Sequence, residues 1–143
     1  MKRILLIFLT AFVLLLGAAP AEAEELSFDE IYSAYSADGL TFSDKTLSLE
    51  GGTVTVSGYM APPLTPTIHF FVLTEAPMSV CPFCSSDADW PDNIIVVKVD
   101  DPITALPYDT PITVTGTLEI GSETDEETGF VSQLRVHADS IDS

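Results

Sequence analysis

The sequence predicts a mostly β protein: a small five-stranded OB-like Greek-key barrel with one short N-terminal helix, after a cleaved signal peptide. Three observations carry this. From Leu47 onward apolar residues recur with period two, the spacing of a half-buried strand. Five apolar runs, one of them apolar on both faces, are separated by Gly, Pro and Asp clusters. Gly58 and Gly116 sit inside runs, where a glycine marks a bulge or a sharp bend. A flatter sandwich or an open β-meander is the alternative arrangement of the same runs.

The N-terminus reads as a leader. Lys2 and Arg3 precede an apolar run from Ile4 to Leu16, shorter than the ~20 residues of a membrane span. Ala21-Glu22-Ala23 fits the small-x-small cleavage rule, which starts the mature chain at Glu24; Ala19-Pro20-Ala21 is the second choice. The expected organisation is residues 1–23 as signal peptide, 24–46 as helix and lead-in, and 47–143 as barrel. The expected location is periplasmic or extracellular, with no stable membrane insertion after cleavage.

Leu26 to Tyr35 reads as the helix. Ser27 and Glu30 form a capping-box pattern, and Phe28, Ile31, Tyr32 and Tyr35 recur at helical spacing. Asp38-Gly39 ends it. Leu47 and Leu49 alternate with Ser48 and Glu50, and Gly51-Gly52 turns the chain. Thr53–Ser57 is the first clear strand, ending at Gly58-Tyr59-Met60. Pro62, Pro63 and Pro66 give an extended loop. Ile68–Leu73 is apolar on both faces and central. Thr74–Pro91 is a long loop, Asn93–Val99 a third strand ended by Asp100-Asp101-Pro102, and Pro111–Ile120 a fourth with a bulge expected at Gly116. Ser122–Gly129 is a polar hairpin loop, its acids Glu123 to Glu127 an exposed tip, and Phe130–Ile141 the last strand.

Charge excludes several functions. Leader removal takes Lys2, Arg3 and Glu22 from 5 cations and 22 acids, leaving 3 and 21, a formal charge of −18. Nucleic acid and anionic lipid both need a basic footprint, so neither is an expected partner. The chain has no G-x-S-x-G, H-E-x-x-H, Walker loop or G-x-G-x-x-G, so hydrolase, metalloprotease and nucleotide sites lack their motifs.

Chemistry concentrates in Cys81-Pro82-Phe83-Cys84, which holds both cysteines of the chain. Three readings stay open. Export favours a disulfide between Cys81 and Cys84 that stiffens the loop, with modest stabilisation because the closed ring is small. Alternatively the two sulfurs share a soft metal, with Met78 and His69 as further ligands; Met60, which borders the same part of the chain as His69, and His137 are the other candidates. Thioether ligands suit Cu(I), and histidine suits Zn(II). The third reading is thiol–disulfide exchange, with Cys81 as nucleophile and Cys84 as resolver. No amphipathic helical run follows Cys84, and alternating βα units are missing, so that chemistry has poor surroundings. Asp87, Asp89 and Asp92 flank Trp90 in the same loop and read most simply as solvated. Tyr59, Phe83, Trp90 and Tyr108 are the aromatics available to line a groove at one barrel end.

The order Gly52-x-Val54-x-Val56-x-Gly58-Tyr59-Met60-x-Pro62, then Phe70-Phe71-Val72-Leu73, the cysteines, and Ile112-x-Val114-x-Gly116-x-Leu118 resembles a group of uncharacterised exported bacterial proteins with an OB-like β domain. Some of that group are associated with transport systems, metal transport among them. The resemblance covers the chain from about Thr41 and implies the fold and the exported setting; an envelope transport-system protein is the expected partner. It implies no catalytic residue. The expected function is an exported binding or accessory module, non-enzymatic, that handles Zn or Cu through Cys81 and Cys84. Oxidoreductase activity and an inert disulfide in an interaction domain are the alternatives.

Overall fold

The computed structural model describes residues 22–37, 39–63, 67–79 and 90–143. The expected leader core and the cysteine pair therefore lie outside the described residues. The first described element is β1 (Glu24–Glu25), followed by α1 (Phe28–Ile31). The capping box forms as read: the Ser27 backbone N–H donates to Glu30 Oε2 at 3.2 Å, and Lys45 Nζ bonds the same oxygen at 2.8 Å. The helix is four residues long, not ten. A helix well under about twelve residues has little stability of its own, so tertiary pairing decides its end. Here the chain turns extended at Tyr32 and enters β2 (Tyr32–Ser36), which pairs with β3 (Gly39–Phe42). Tyr32, Tyr35, Thr41 and Phe42 are of the aromatic and β-branched types that favour such a ribbon. Tyr32 stacks on Phe42 with centroids 5.0 Å apart. Phe28 and Ile31 of the apolar stripe are buried, whereas Tyr35 is 82% exposed at the ribbon's far end.

A second helix, α2 (Asp44–Ser48), replaces the strand-like reading of Leu47 and Leu49. Ser43 caps it by accepting the Thr46 N–H at 3.1 Å, and Thr46 Oγ1 donates to the Ile31 carbonyl at 2.9 Å. Local capping and a tertiary bond outweigh two alternating leucines. Leu47 remains half exposed.

The five expected strands all exist. They are β4 (Thr53–Met60), β5 (Thr67–Thr74), β6 (Ile94–Thr104), β7 (Pro111–Thr124) and β8 (Val131–Asp142). The main sheet has six strands, in the order β1-β4-β5-β6-β8-β7, and β7 also pairs with β4. The sixth strand is β1, whose two residues carry no periodic signal. β1–β4 and β6–β8 are parallel; the other pairings in this sheet are antiparallel. The β4–β5 join is short, only Tyr59 with Thr74 and Met60 with Leu73, and β1 occupies the β4 edge that β5 leaves.

Alternation places Val54, Val56, Ile112, Val114, Leu118, Leu134 and Val136 in one core with Leu26, Phe28 and Ile31. On the opposite face, hydroxyls pair across β4 and β7: Thr55 with Thr115 and Ser57 with Thr113, both at 3.1 Å. Gly58 permits a tight crossing, since a Cβ there would lie 2.6 Å from the Thr74 carbonyl oxygen. The bulge expected at Gly116 is present between Thr115 and Gly116.

β6 runs through Asp100-Asp101-Pro102 instead of ending there. Between the Phe70–Lys98 and Ile68–Ile103 pairs, four residues of β6 face His69 alone. The irregularity absorbs the proline and aspartates outside the regular ladder. A smaller apolar cluster, Ala61, Val72 and Ile94, is covered by Trp90 and Phe130.

Candidate functional site at the root of the cysteine loop

The cysteine loop leaves the sheet after Thr74 and returns at Ile94. Its two ends are held together. The Glu75 N–H donates to the Asn93 carbonyl at 3.2 Å, and Thr74 Oγ1 lies 3.2 Å from the Tyr59 carbonyl and 2.8 Å from that of Ala76. On the returning side Trp90 packs against both apolar clusters. Its indole N–H donates to the Tyr32 hydroxyl at 2.8 Å. Burial pushes the Tyr32 hydroxyl up to about 12, so it stays protonated at physiological pH.

Two depressions flank this root. One, of about 250 Å³, is lined by Phe28, Asp29, Tyr32, Glu75 and Asp92. The other, of about 400 Å³, includes Ser57, Tyr59, Glu75, Ile112 and Asp142 in its wall. Glu75 borders both. Carboxylates beside tyrosine rings favour cations and disfavour anionic ligands.

The expected site residues separate. Cys81 and Cys84 lie outside the described residues, as do Phe83, Asp87 and Asp89. Met78 is partly buried near the start of the loop. His69 is exposed at the β5 irregularity, five residues from Thr74. At roughly 3.3 Å per strand residue it stands about 16 Å along β5 from the loop root. Met60 is a core residue; its sulfur faces the Leu106 N–H at 3.4 Å. His137 is exposed and paired with Glu119. Among the described residues no group of three or more His, Cys, Asp or Glu side chains is arranged to hold a metal.

The most elaborate polar cluster is one the sequence reading passes over. Arg135 on β8 is 2% exposed. Its guanidinium donates to the Gly121 carbonyl at 2.8 Å and to the Ser132 carbonyl and hydroxyl at 3.1 and 3.0 Å. It pairs with Glu119 at 3.2 Å and Glu123 at 3.4 Å. Glu123 also pairs with Lys98. Arg135, then His137, hold the Glu119 carboxyl down at about 2. Glu123 therefore belongs to a strand-spanning network, not to an exposed tip. Asp125 is likewise engaged, accepting the Thr128 N–H at 2.8 Å. The available signal was Arg135 itself: one cation between the core residues Leu134 and Val136, opposite Glu119 on the neighbouring strand.

The sequence matches no protein-family model and no curated protein. Among solved structures, the fold is similar to that of a DUF3299 family protein from Pseudomonas aeruginosa PAO1. The likeness has a TM-score of 0.58 at 16% identity and covers 85% of this chain and 95% of that one. It establishes that this chain shares a β-rich fold with an uncharacterised bacterial family.

Proposed function

We propose that this chain is an exported, non-enzymatic accessory module of the cell envelope that handles a soft metal through the Cys81–Cys84 loop. The observation that carries this reading is the loop's anchorage. The chain's two cysteines sit in a segment whose ends are fixed by the Glu75–Asn93 and Trp90–Tyr32 bonds. A clamped root limits the volume the loop can sample and lowers the ordering cost of gathering ligands. Cys81 and Cys84 supply half of a tetrahedral set, and Met78 begins the same loop. His69, about 16 Å along β5, serves only if the loop folds back over the strand.

Each of β4 to β8 has two partners among the five, in the cyclic order β4-β5-β6-β8-β7-β4, which is the pairing expected of an OB-type barrel. Such barrels present ligands to loops at one end. Periplasmic or extracellular residence and an envelope transport-system partner belong to the same proposal. Among the described residues no helix is long and apolar enough to cross a membrane.

Trp90 is the chain's single tryptophan and lies six residues after Cys84. Titrating the reduced mature protein with Cu(I) or Zn(II) while following Trp90 emission tests the reading. A saturable change at one equivalent, absent in Cys81→Ser and Cys84→Ser, supports it. No response to either metal, with emission that changes only on reduction, overturns it and leaves a disulfide, structural or exchanging, in its place.

A further inference from the structure

β1 is two residues long, yet the chain around it is fully engaged. Glu24 and Glu25 pair with Val54 and Thr55 of β4. The Leu26 N–H donates to the Thr55 carbonyl at 3.0 Å, and the Leu26 side chain is 1% exposed in the main core. Ser27 then caps α1, and Phe28 and Ile31 fill the same core. The leader reading places the scissile bond between Ala23 and Glu24. The first three residues beyond that bond are therefore the strand and its buried anchor.

An endopeptidase binds its substrate extended, through backbone N–H and C=O groups on both sides of the bond, as an added strand does. Here the groups of Glu24 to Leu26 are already engaged with β4. We propose that β1 is a maturation latch: its docking onto β4 and leader removal at Ala23–Glu24 exclude one another. Hydrolysis adds water across that peptide bond, leaving a carboxylate on Ala23 and an ammonium on Glu24. Cleavage first lets the new N-terminus dock and gives a released domain. Docking first retains the leader on a folded, membrane-tethered protein. The inference rests on the leader reading and is independent of the cysteine chemistry.

The test uses the full chain, folded in detergent micelles, with a bacterial leader peptidase. A variant with a Gly-Ser-Gly-Ser spacer between Ala23 and Glu24 moves the bond away from β1 without touching the core. Leu26→Asp undocks β1 directly, and the spacer variant keeps the test decisive if that substitution unfolds the domain. Proteolysis tracks the open population, and burying one leucine closes it by a factor of roughly 10 to 100, so the spacer variant should be cut faster than the native chain by about that factor. Equal rates overturn the latch. Failure to cut the spacer variant overturns the leader reading on which the latch rests. A product beginning at Glu22 overturns the assigned bond and the latch with it.

Discussion

Replacing Arg135 by Met keeps the side chain's length and apolar stem but removes the guanidinium. The Ser132 carbonyl and hydroxyl lose a buried donor, and Ser132 is itself buried. One buried polar group left unsatisfied costs about 1–3 kcal/mol. The ion pairs add less, because Glu119 and Glu123 are 40% and 35% exposed and solvent screens them; together they contribute roughly 1 kcal/mol. The methionine recovers some packing. The expected net loss is therefore about 2–3 kcal/mol, smaller than the ~3–5 kcal/mol of a fully enclosed pair. Urea unfolding at neutral pH measures it directly. With a slope of ~1–3 kcal/mol/M the midpoint should fall by roughly 0.7–3 M at unchanged slope. A loss below about 0.5 kcal/mol, the range of an ordinary surface substitution, would refute the view that Arg135 fastens β7 to β8.

Gly116→Ala should cost more, because its Cβ would collide with the His137 carbonyl and stand 2.8 Å from the Ala138 Cα; a Tm within a few degrees of native would contradict the bulge geometry. Acid should destabilise the fold through Glu30 and Glu119, both lowered from 4.5 to about 2. The stability they add is present above pH 4.5 and is lost as pH falls towards 2, so Glu119→Gln should flatten the pH dependence of the urea midpoint in that window. Ultraviolet titration should show one of the 4 tyrosines ionising late, near 12, and Tyr32→Phe should abolish that step. Trp90→Phe keeps a ring against both apolar clusters but removes the bond to Tyr32, so the same late step should shift further upward.

The strands were legible because alternation is a direct imprint of the two-faced sheet. Val54 and Val56 against Thr53, Thr55 and Ser57 mark β4, and Gly116 marks the bulge in β7. The N-terminal segment was not, since Phe28, Ile31, Tyr32 and Tyr35 satisfy a helical spacing that only the β2–β3 pairing breaks at Tyr32. α2 hid behind Leu47 and Leu49 because a five-residue helix is decided by Ser43 and Thr46 bonding to the Glu30–Ile31 backbone, contacts distant in sequence. β1 has no periodicity to read at two residues. The cysteine pair was the visible chemical feature, while its anchors were not. Trp90 meets Tyr32 across 58 positions, and no local pattern announces that bond. Arg135 was passed over for the converse reason: a lone cation in a strand reads as solvent-facing until the bulged β7 strand closes over it.

Metal binding by Cys81 and Cys84 is the step on which the proposed function stands. Native mass spectrometry of the mature protein, purified from an exporting host with and without reductant, tests it most directly. The expected result is one stoichiometric zinc or copper adduct on the reduced protein, abolished by Cys81→Ser and Cys84→Ser. A mass two hydrogens light, with no adduct before or after reduction in the presence of either metal, would contradict it and leave a structural disulfide in its place.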